Sequence, residues 1–93
     1  MGVCDVSFDF DSRGRHYRIG FSESMMIDHV ELAEVRVKTM KKNGKVLERF
    51  LRQKTWLHED FCALVPGGPV GMPFTAIVAR VKDAMDAGWN PLT

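Results

Sequence analysis

Apolar and polar residues alternate strictly at the start of the chain. Cys4, Val6, Phe8 and Phe10 are interleaved with Asp5, Ser7, Asp9 and Asp11, and after Ser12-Arg13-Gly14-Arg15 the alternation resumes with Tyr17, Ile19 and Phe21 between His16, Arg18 and Gly20. A period of two with one apolar side predicts two half-buried strands. Closing the turn sets Phe10 opposite Tyr17, Phe8 opposite Ile19 and Val6 opposite Phe21, with Asp9 facing Arg18 and Asp11 facing His16. A slip of one residue would oppose aromatics to charges, so the register is specified.

Residues 28–42 fit two patterns. As a helix they offer Asp28 and Glu31 at capping-box spacing, a stripe of Val30, Ala33, Val37 and Met40, and Asn43-Gly44 as the stop. As a strand they offer the β-branched run Val35-Arg36-Val37-Lys38-Thr39 leading into Asn43-Gly44, a hairpin signal. A loop of Lys42-Asn43-Gly44 would place Lys38 opposite Glu48, Met40 opposite Val46, Thr39 opposite Leu47 and Val35 opposite Leu51, whereas a shorter loop opposes Lys38 to Arg49. That pairing favours the hairpin over the helix. In this register Val35, Val37, Thr39, Leu47 and Leu51 share the face expected to pack on a helix, with Arg49 as a misfit. Arg36, Lys38, Arg52 and Lys54 surround Met40, Val46 and Phe50 on the other.

Further along, Glu59 and Asp60 form the acidic first turn of a short predicted helix covering Phe61, Leu64 and Val65. Residues 66–73, Pro-Gly-Gly-Pro-Val-Gly-Met-Pro, break both regular ladders and read as a connector. Helical spacing then returns in Ile77, Val78, Val81, Ala84 and Met85, with Thr75 as the expected N-cap, Lys82 and Asp86 as an i,i+4 pair and Gly88 as the stop before Pro91. The elements add up to a single α+β domain over residues 1–93: an antiparallel sheet of about four strands with the C-terminal helix packed on one face. The ending, helix then Gly88-Trp89-Asn90-Pro91, resembles the tails of small uncharacterised bacterial accessory proteins carried on mobile gene cassettes or beside toxins. The resemblance implies a bacterial origin and brings no activity or site residues with it.

Composition is that of an ordinary globular chain, 45% hydrophobic and 27% charged. Its net charge of +1 conceals a strong polarity. Residues 1–35 carry three Arg against seven acids, residues 36–54 eight Lys/Arg against Glu48 alone, and residues 55–93 two bases against four acids. Such a basic block steers partners. The first twelve residues hold no basic residue and no apolar run, so neither a secretory signal nor a membrane anchor is expected. Gly2 alone matches a myristoylation site, and Val6 stands where Ser or Thr is needed. Cys4 and Cys62 have no local partners, which points to a reducing cytoplasm rather than a disulfide framework.

Candidate chemistry is sparse. His16, His29 and His58 are not spaced as metal ligands, and His16 is expected simply to face Asp11. His58, Glu59, Asp60 and Cys62 are the densest polar cluster, but they read as a helix start rather than converging acid, base and nucleophile. The Gly/Pro stretch lacks the Gly-Lys-Ser/Thr of a phosphate loop. Met25, Met26, Ile27, Trp56 and Trp89 are expected in the core or an interface. Neither a catalytic centre nor a metal or cofactor site is predicted. The surface left to carry function is Arg36, Lys38, Met40, Val46, Phe50, Arg52 and Lys54. The sequence-level expectation is a non-catalytic interaction module that self-associates and recognises a protein partner. Nucleic-acid binding through the basic segment is the alternative, and an enzyme using the His58 region a distant third.

Overall fold

The computed structural model describes residues 5–22 and 28–93. Strands β1 (Val6–Ser12), β2 (Arg15–Ser22), β3 (His29–Thr39) and β4 (Val46–Leu57) form one antiparallel sheet in sequential order, followed by helices α1 (His58–Leu64) and α2 (Phe74–Asp86). The α+β class and the C-terminal helix are as the sequence predicts. Residues 29–39 take the strand alternative. Cys4 and the Met25-Met26-Ile27 triplet lie outside the described residues.

The first hairpin has the predicted register throughout, from Val6 opposite Phe21 to Ser12 opposite Arg15. Its apolar side continues through Ile19 opposite Leu32 and Phe21 opposite Val30. Both helices cover this inner face. Phe10, Tyr17, Ile19, Phe21, Val30 and Leu32 meet Phe61, Cys62 and Val65 from α1 and its exit, and Ile77, Val81 and Met85 from α2. Spacing of four residues along α2 puts those last three on one stripe. The ring of Phe74 stacks on Phe21 with centroids 4.4 Å apart, which starts α2 earlier than predicted. Pro73 is its N-cap in place of Thr75, and the Pro73 carbonyl accepts from the amides of Ala76 and Ile77. Leu64, expected under α1, is exposed, while Phe61 and Val65 are buried as predicted. Lys82 and Asp86 form the predicted ion pair at 3.0 Å.

Left-handed backbone shapes several turns, among them the end of α2 and the tip of the first hairpin. Gly88, at φ +109°, closes α2: its amide donates to Met85 O and that of Trp89 to Ala84 O, the paired bonds of a Schellman cap. In the first hairpin the two-residue turn is Arg13-Gly14, with φ of +53° and +78°. Mirror-image turns of this type favour Asn or Asp at the first position, and an arginine held there costs about 1 kcal/mol.

The second hairpin departs from prediction. Met40 N–H donates to Lys45 O at 2.7 Å and Gly44 N–H to Met40 O at 3.0 Å, so the loop is Lys41-Lys42-Asn43-Gly44, one residue longer than expected. Lys38 therefore pairs with Leu47, Thr39 with Val46 and Val35 with Phe50, not with Glu48, Leu47 and Leu51. Leu51 is an extra residue on β4: past it Glu34 pairs with Arg52 and Val30 with Trp56, and the register resumes as though the loop had three residues. A bulge of this kind bends the ribbon and re-aims its side chains.

Candidate functional site

Beyond the bulge, β3 and β4 leave the body as a two-stranded arm in which every residue from Arg36 to Leu51 is exposed. The arm stretches the molecule to 45 × 33 × 22 Å and its radius of gyration to 13.9 Å, against roughly 12 Å for a compact chain of this length. Cross-strand partners share a face, and the bulge decides which. Val37 opposite Glu48, Thr39 opposite Val46, and Phe50 beside Val35 continue the outer face of the sheet, the side away from α1 and α2. Arg36 opposite Arg49 and Lys38 opposite Leu47 lie on the helix side, as do Arg52 opposite Glu34 and Lys54 opposite Leu32.

The expected grouping is thus corrected. The seven candidate residues do not share one face. Arg36, Lys38, Arg52 and Lys54 are on the inner side, Val46 and Phe50 on the outer, and Met40 opens the tip loop. Nor do Val37, Leu47 and Leu51 pack on a helix: they are 47%, 45% and 36% exposed. The result is a ribbon with an apolar outer face, where Val37, Val46 and Phe50 stand about half exposed, and a basic inner face. Lys41, Lys42 and Lys45 crowd the tip. Like charges set directly opposite, as Arg36 and Arg49 are, disfavour the hairpin.

One side chain ties the arm to the body. The Arg18 guanidinium grips Asp9 with Nε and Nη2 at 2.7 and 3.0 Å, and Glu48 with Nη1 and Nη2 at 2.8 and 2.9 Å. It also lies 5.9 Å from the centroid of the Phe50 ring. Small Ala33 and Val35 beneath it leave room for this reach from β2 across β3 to β4. His16 extends the network, its two ring nitrogens 2.6 Å from Asp11 and 3.0 Å from Asp9. These bonds, Asp11 first, raise the His16 pKa, while the Arg18 hydrogen bond holds Asp9 below the usual carboxylate range. Glu48 is lowered by the same arginine.

The His58 region brings only one pair together. Nε2 of His58 lies 3.6 Å from Cys62 Sγ, one helical turn on. Cys62 is fully buried, and burial pushes its thiol pKa up, the opposite of what a thiolate nucleophile requires. Glu59 and Asp60 face solvent. Among the described residues no group of three or more His, Cys, Asp or Glu is placed to hold a metal ion, and no helix is long and apolar enough to cross a membrane. Sequence reasoning missed the role of Arg18, whose spacing from Glu48 carries no local signal.

No family model, curated protein or solved structure matches this chain.

Proposed function

We propose that the protein is a non-catalytic interaction module whose uncovered sheet face and arm dock a second copy of the chain. The observation that carries this reading is the apolar outer face of the arm, Val37, Val46 and Phe50, each 47–54% exposed on a ribbon that no layer covers among the described residues. Exposed apolar groups gathered in this way favour burial in a subunit contact. Charge supplies the complement. The outer face carries Asp9, Asp11, Glu31 and Glu48 against Arg18, while the arm tip carries Lys41, Lys42 and Lys45. An antiparallel, two-fold arrangement lays each basic tip over the acidic end of its partner's sheet and sets apolar patch against apolar patch. Strands about 4.8 Å apart and up to about 40 Å long give a face of several hundred Å², the order of one partner's share of a stable interface. A cytoplasmic setting belongs to this reading, because Cys62 is a free thiol kept inside the core.

Light scattering at tens of micromolar should return a mass well above 10.5 kDa. Phe50→Glu should return the monomer without unfolding it, since the ring is 48% exposed. A wild-type protein that stays monomeric on concentration defeats the proposal.

The basic inner face supports a second reading, a nucleic-acid contact. A two-stranded ribbon fits the major groove, and Arg36, Lys38, Arg49 and the tip lysines sit where a phosphate backbone would track. Binding through four such contacts would show a log-log salt slope of roughly −3 to −4. Failure to bind oligonucleotides near 50 mM salt, where the electrostatic contribution is strong, removes this reading and leaves the first intact.

A further inference from the structure

At the base of the arm, on the helix side, Arg13 and the chain leaving α2 flank a half-open cavity of about 510 Å³. Its wall includes Arg13, Arg15, Tyr17, Arg52, Trp89 and Asn90. That volume is the size of a small-molecule site, and the chemistry of its wall is one-sided. Three guanidiniums face Glu34, and the second carboxylate nearby, Asp86, is already balanced by Lys82. Arg15 and Arg52 both donate to a single oxygen of Glu34, at 3.3 and 2.8 Å, leaving most of their N–H groups without an acceptor among the described residues. Arg13 makes no hydrogen bond among the described residues, and it acts on Asp86 through charge alone. Asp86 is already occupied, accepting from Ser12 at 2.6 Å and Lys82 at 3.0 Å. The side-chain oxygen of Asn90 accepts from the Leu92 amide, so its NH₂ is the part left to face a ligand.

The backbone points the same way. Arg13 is the one described non-glycine residue with positive φ, in a position that Asn or Asp would occupy with less strain. The strained turn sets its guanidinium beside Gly88, where an added Cβ would come within 3.5 Å of Nη1. Strain held at a cavity wall is a mark of a binding site when the strained residue bears the chemistry.

We propose that this cavity binds the phosphate group of a small phosphomonoester. Two positive charges remain after Glu34 is counted, which matches a dianion, and planar forks are suited to phosphate oxygens. Trp89 and Tyr17 give the wall an aromatic part against which an organic ring can lie. The site is on the other side of the sheet from the docking face and does not depend on it.

The test is thermal unfolding and calorimetric titration of the full chain with adenosine 5′-monophosphate, inorganic phosphate, adenosine, and a single-stranded oligonucleotide without terminal phosphate. The monophosphate and inorganic phosphate should bind and raise the melting temperature, and adenosine should do neither. Arg13→Asn should weaken monophosphate binding tenfold or more while leaving the unliganded melting temperature unchanged or higher, because Asn tolerates left-handed backbone. A guanidinium with only a structural role would instead lower it. Arg15→Gln is the second variant, since Arg52 still holds Glu34 and the fold survives. It too should lose affinity. Absence of binding by both phosphates at millimolar concentration, or equal binding by either variant, overturns the proposal. So does an unphosphorylated oligonucleotide that displaces the monophosphate, because the cavity would then be part of a nucleic-acid surface.

Discussion

Truncating two phenylalanines to alanine separates the core from the docking surface. Phe21 is fully buried, stacked on Phe74, edge-on to Phe8 at 6.1 Å and tilted against His58. Removing it forfeits transfer free energy and leaves a cavity between β2 and α2, a loss of about 3–5 kcal/mol. A domain of this length has a total stability of roughly 5–14 kcal/mol, so about a fifth or more disappears. With a urea slope of about 1–2 kcal/mol/M, the midpoint falls by roughly 1.5–5 M. Phe50 is 48% exposed and keeps only its contacts with the arm and the Arg18 guanidinium. Its truncation in the monomer should cost about 1 kcal/mol, half a burial plus a weak cation–π contact. Urea titration followed by Trp56 fluorescence, whose indole lies 5.1 Å from the core ring of Phe61, reads both. The Phe50 effect should grow with protein concentration and the Phe21 effect should not. Equal midpoint shifts for the two variants in dilute protein would refute the assignment of inner and outer faces.

Four further outcomes follow from the geometry. His16 is raised by Asp11 and Asp9, so its contribution to stability is complete below the ordinary histidine value of about 6.5 and fades as pH rises through the folded value; His16→Asn should flatten that limb of a stability-pH curve. Asp9 and Asp86 are lowered, chiefly by hydrogen bonds from Arg18 and Ser12, so their contributions hold above about 3.8 and are lost as pH falls through the depressed folded values. Gly88→Ala forces a side chain into φ +109° and should lower stability by 1 kcal/mol or more, about the cost of left-handed backbone, whereas Gly14→Asn in the hairpin turn should be much milder. Cys62, buried with a raised pKa, should react with a thiol reagent only at the rate of unfolding; fast labelling of the native Cys4→Ser variant, in which Cys62 is the one thiol, would contradict its place in the core.

The first hairpin is legible in the sequence because Val6, Phe8 and Phe10 share a face with Tyr17, Ile19 and Phe21: a one-residue slip buries Asp9 or Arg18, and the short Ser12–Arg15 turn fixes the rest of the pairing. The stripe of α2 is legible for the same reason. The second hairpin is legible in kind and not in detail. Its strands are exposed on both sides after Arg36, so no buried face penalises a slip, and the extra residue in the loop is offset by the extra residue at Leu51. The start of α2 escapes prediction because the Phe74–Phe21 stack outweighs the capping preference of Thr75. The basic cluster is legible as a surface, but its division into faces rests on the bulge, and the Arg13, Arg15 and Arg52 cavity joins residues from opposite ends of the chain.

The bulge also governs how the arm can vary. Because Leu51 absorbs the mismatch between body and arm, and Arg36 to Leu51 take no part in the core, the ribbon can change length without disturbing the layers beneath it. Two residues added to each strand would extend the reach by about 7 Å and return every side chain to its own side. One residue added to each would exchange the greasy side for the charged one. Descendants of this chain are therefore free to lengthen or shorten the arm in even steps, and an odd step makes a different surface.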